Sequence, residues 1–79
     1  MIIKKLTAFV SVMDNGNEGI IGMKIAQDEW MPFVCANEEK IKQLLPLCDE
    51  MCNQENITYR ILQFENRTDI TDEIKKKFL

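Results

Sequence analysis

The order of apolar and polar positions divides the chain into six elements. Leu6 to Met13 predicts a first strand, because Thr7, Phe9, Val10 and Val12 are β-branched or aromatic. Leu6, Ala8, Val10 and Val12 fall on one of its faces, while Phe9 and Met13 share the other with Thr7 and Ser11. Asp14-Asn15-Gly16-Asn17-Glu18-Gly19 is dense in residues that tolerate a positive φ and marks a turn. Ile20 to Gln27 follows as a second strand with Ile21, Met23 and Ile25 on one face, which makes the pair a β-hairpin. Trp30 to Ala36 reads as a third strand. Its Pro32 confines it to a sheet edge or starts it after the proline.

The period then changes. Asn37 is a good N-cap, and Glu38 and Glu39 put negative charge in a first helical turn. Ile41, Leu44, Leu45, Cys48, Met51 and Cys52 recur at spacings of three and four, the stripe of an amphipathic helix ending near Asn53. Pro46 inside that stripe predicts a kink or a split. Ile57 to Glu65 alternates again as a fourth strand, with Ile57, Tyr59 and Ile61 on one side and Leu62 and Phe64 on the other. Asp69 or Thr71 caps a short last helix through Lys77, whose stripe is Ile70, Ile74 and Phe78. The order β-β-β-α-β-α predicts an α+β two-layer domain spanning residues 1–79: one mixed four-stranded sheet with the main helix packed on one face.

Composition narrows the chemistry. The 79 residues suffice for one small core. With 46% hydrophobic and 29% charged residues, the chain is a folding sequence and not a disordered one. It contains no histidine, so the commonest general base and the commonest zinc ligand are both missing. A net charge of -3 argues against nucleic acid, although Tyr59 and Arg60 alternate on the fourth strand. No apolar run approaches a membrane span, and Met1-Ile2-Ile3-Lys4-Lys5 reverses the order of a secretory leader. Three irregularly spaced cysteines do not suggest a disulfide framework, so a reducing cytoplasm is the expected location. Ten isoleucines, eight lysines and only two arginines suit an AT-rich bacterial or phage genome.

Each candidate site has a plainer explanation. Cys48 and Cys52, four apart on a helix with Cys35 just upstream, form a possible metal or small-molecule site, yet they share the stripe of Leu44 and Met51 and read first as core. An enzyme built on Cys35 or on a carboxylate ranks third. Asp28-Glu29, Glu38-Glu39, Asp49-Glu50 and Asp72-Glu73 are accounted for by turns, helix starts and solvated faces. No GxGxxG, GxxxxGK[ST] or GxSxG motif occurs, and no cofactor is implied. Trp30 reads as a half-buried core residue before it reads as an interface anchor.

What remains is surplus apolar surface. The strands carry apolar residues on both faces, and one main helix covers only one. The expected function is therefore protein–protein binding by a non-enzymatic regulatory or accessory protein, with a homodimer as the simplest partnership. The expected interface residues are Phe9, Met13, Trp30, Tyr59, Ile61 and Phe78, with the last helix as the alternative cover for the open face.

Overall fold

The chain is described over residues 2–79 by a computed structural model. Strand β1 (Leu6–Val12) is its hub. Asp14 to Asn17 reverses the chain. Asn17 donates to the Asn15 side chain, Gly16 takes φ 86°, and Gly16 and Asn17 each exchange a backbone bond with Met13. The glycine is needed there, because a side chain strains at that φ. Strand β2 (Glu18–Ile20) then pairs antiparallel with the second half of β1, Val10 opposite Ile20.

The turn expected through Gly19 ends at Asn17, so the second strand starts two residues before its expected Ile20, and both it and the third strand are interrupted. The second is β2 followed by β3 (Gly22–Ala26), and the third is β4 (Glu29–Pro32) followed by β5 (Val34–Cys35). The breaks fall at Ile21 and Phe33, where a closed ring of three backbone bonds forms. Phe9 N–H donates to the Phe33 carbonyl (2.9 Å), Phe33 N–H to Ile21 (2.8 Å), and Ile21 N–H to Phe9 (2.9 Å). Beyond the ring, β3 and β4 leave the main sheet as a separate antiparallel ribbon with Asp28 at φ 65° in its turn. β5 returns to pair with the first half of β1, so β2 and β5 share one edge of β1.

Helix α1 (Glu38–Gln54) starts as expected, with Asn37 Oδ1 accepting from Lys40 N–H at 2.8 Å. It runs unbroken through Pro46 instead of splitting there. Pro46 and Lys42 are both exposed, so the Lys42 carbonyl that loses its partner has water available. Asn56, at φ 55°, turns the chain into β6 (Thr58–Phe64), which pairs with β1 over its whole length from Leu6–Phe64 to Val12–Thr58. Among the described residues β6 pairs with β1 alone.

The class is α+β as expected, but every pairing in the sheet is antiparallel and not mixed. β1 lies between β6 on one edge and β2 and β5 on the other, so the three strands that run parallel to one another do not pair. The core lies between the sheet and α1. Phe9, Phe33, Cys35, Leu44, Cys48 and Cys52 form it, with Ile21, Met23 and Met31 packed against it from the ribbon side. Helix α2 (Thr71–Phe78) ends the chain with no buried residue.

Candidate functional site

Tyr59 fixes which sheet face is which. Its hydroxyl donates to Asp49 Oδ1 on α1 at 2.8 Å, so Tyr59 and its register partner Ser11 look toward the helix. By alternation Phe9 and Ile61 share that side. The opposite side is built from Leu6, Ala8 and Val10 on β1, Leu62 and Phe64 on β6, Val34 on β5 and Ile20 on β2. Ala8 and Val10 are buried between their cross-strand neighbours, outside the helix-side core. Leu6, Ile20 and Phe64 are exposed. Arg60, opposite Val10, is the only charge β6 contributes.

The second unpartnered surface is α2. Its stripe of Ile70, Ile74 and Phe78 is exposed, Phe78 at 70%, so it does not cover the sheet of its own chain. Asp69 Oδ1 accepts from the Thr71 hydroxyl (2.6 Å) and N–H (2.9 Å), which lowers the Asp69 pKa, but the N-cap position falls on Ile70, whose side chain makes no cap bond, and not on Asp69 or Thr71. The segment between β6 and α2 is tied down by Arg67, which donates to the Ile3 carbonyl at 3.0 Å.

The expected interface residues divide. Phe9 is 0% exposed under α1 and offers a partner nothing; its side of β1 is the helix side, because it pairs with Ile61 next to Tyr59. Tyr59 is half-buried and engaged with Asp49. Met13, Ile61 and Phe78 are exposed. Trp30 is 66% exposed, not core, because the ribbon turns Met23 and Met31 inward and leaves Trp30 opposite Lys24. Trp30 also lines a cleft of about 310 Å³ with Ile21, Met51, Cys52 and Ile57. The residues that the pattern reading passed over are Leu6, Ala8, Val10 and Phe64. Both faces of β1 are apolar, so alternation alone did not say which one α1 covers.

The cysteines behave as core. All three are free and buried, and Cys48 and Cys52 Sγ atoms lie 3.9 Å apart. Burial, the Cys52 hydrogen bond and nearby charge push the Cys48 thiol up to about 12, which disfavours the thiolate that a nucleophilic role requires. Among the described residues no three Cys, Asp or Glu side chains converge as metal ligands. No helix is long and apolar enough to cross a membrane. Compared with protein families, with curated proteins and with solved structures, the chain finds no match.

Proposed function

We propose that this chain is a non-enzymatic cytoplasmic protein that acts by binding protein, beginning with a second copy of itself, in a regulatory or accessory role. The observation that carries this reading is area. The chain exposes 6832 Å². A folded monomer of 9.2 kDa exposes about 4,900 Å². The surplus of about 1,900 Å² matches in size what one protomer gives to an obligate homodimer, for which both sides together bury roughly 2,000–5,000 Å². Its composition agrees, since the open sheet face and α2 stripe are apolar. Three free buried thiols suit a reducing compartment, and the Ile- and Lys-rich composition suits a bacterial or phage setting.

Sedimentation equilibrium at micromolar concentration tests the reading. The expected mass is twice the 9.2 kDa of the chain. A single species at the chain mass up to the highest soluble concentration overturns it.

A further inference from the structure

We infer that two copies of this chain exchange their C-terminal helices, the α2 of each lying across the open sheet face of the other. This rests on the dimer reading above and specifies its contact. Two apolar surfaces lack a cover within one chain, and they are complementary in kind: a sheet face whose exposed apolar residues are Leu6, Ile20 and Phe64, and a helix whose stripe is Ile70, Ile74 and Phe78. A helix of eight residues is marginal in water without a surface to pack on.

Three observations direct α2 to a neighbour. The Arg67 bond to the Ile3 carbonyl anchors the connection at the end of the sheet, and α2 departs from there with none of its residues buried. The radius of gyration is 14.8 Å, whereas a compact chain of this length has about 11.6 Å, so the chain is less compact than a self-sufficient monomer. The surplus area is also of the size that a reciprocal contact buries, because each copy gives a helix and a face. Charge agrees with the apolar match. Arg60 forms no ion pair among the described residues, and the first turn of α2 carries Asp72 and Glu73. A two-fold arrangement makes both contacts at once.

The test is an isotope-filtered NMR experiment on the full chain, with labelled and unlabelled copies mixed. The expected result is intermolecular contacts from Ile74 and Phe78 to Leu6, Leu62 and Phe64. Contacts between these residues within one chain only overturn the exchange, because α2 then folds back. A dimer with no contact from α2 to the sheet also overturns it, while leaving dimerisation standing. A monomer at all concentrations overturns the dimer and the exchange together. The variant pair Ile74→Asp and Phe78→Asp gives a second readout. Neither residue is buried within the chain, so the sheet and α1 stay folded, with unchanged tryptophan emission and a single cooperative transition. Dimer dissociation is expected to rise by at least ~100-fold, since each apolar contact is lost twice in the pair. An unchanged dissociation constant overturns the exchange.

Discussion

The Tyr59 hydroxyl and the Asp49 carboxylate meet at 2.8 Å across the gap between β6 and α1, and the tyrosine is the donor. That bond, with smaller contributions from burial and from the Asp49 charge, raises the Tyr59 pKa to about 12. Tyr59 is the only tyrosine, so an absorbance titration reads it alone. The expected midpoint is about 12 in the native protein, returning toward the ordinary phenol value in Asp49→Asn. Because the folded value is the higher one, the bond's contribution is complete below pH ~10 and is lost as pH rises through the folded pKa. A native midpoint at the ordinary value refutes the contact.

The Phe9 and Phe33 rings pack edge to face, 6.1 Å between centroids at 89°, and both are fully buried. Replacing Phe33 by Ala removes the pair and leaves a cavity, for an expected loss of ~3–5 kcal/mol. A domain of this size has only about 4–12 kcal/mol in total. Urea unfolding is expected to show a midpoint lowered by at least ~1 M, since the slope for a small domain is about 1–3 kcal/mol per M. A loss under ~1 kcal/mol contradicts the central place given to this pair.

Pro46 occupies the ninth position of a seventeen-residue helix, on its exposed side. Pro46→Ala restores a backbone donor and loses no buried contact. The expected gain is ~1–3 kcal/mol, with a melting temperature higher by several degrees. An unchanged or lower melting temperature shows that the proline has a partner or a role outside the chain.

Cys48 and Cys52 have almost no accessible surface, and Cys35 is also buried. Their reaction with a thiol reagent at neutral pH is expected to be slow in the native protein and complete in denaturant. Cys48→Ala is expected to cost on the order of 1 kcal/mol through lost packing. Fast labelling of Cys35 in the native state restores the case for a reactive cysteine.

Much of this architecture is legible before any coordinates. The cap at Asn37, the stripe through Leu44, Cys48 and Cys52, the turn at Asp14–Asn17 and the alternation of β6 all appear in the order of residues. These are local patterns, set by turn chemistry and period. The features that do not show are decided by distant partners. Pro32 marks the break at Phe33, but nothing near Ile21 announces the other one, because the bonds that hold Ile21 come from Phe9 and Phe33. Trp30 looked like core because it is large and apolar, yet its place on the outer side of a peeled ribbon follows from where Met23 and Met31 go. The site suffers most. Phe9 and Val10 are equally apolar, and only the position of α1, marked by Asp49 and Tyr59, says which of their two faces the helix covers.

The outer edge of β6 carries a different kind of hazard. Thr58–Phe64 holds a regular register with β1 along its full length, without bulge, proline or lysine, and with Arg60 as its single charge. Natural edges usually carry such devices to stop strands from adding on. Helix exchange closes on itself after two copies, whereas edge addition has no last member and grows into fibrils. Arg60 is therefore the one charged side chain on β6 that opposes edge addition. Arg60→Leu is expected to shorten the lag of fibril formation, followed by thioflavin fluorescence, while the intact chain stays soluble at the same concentration.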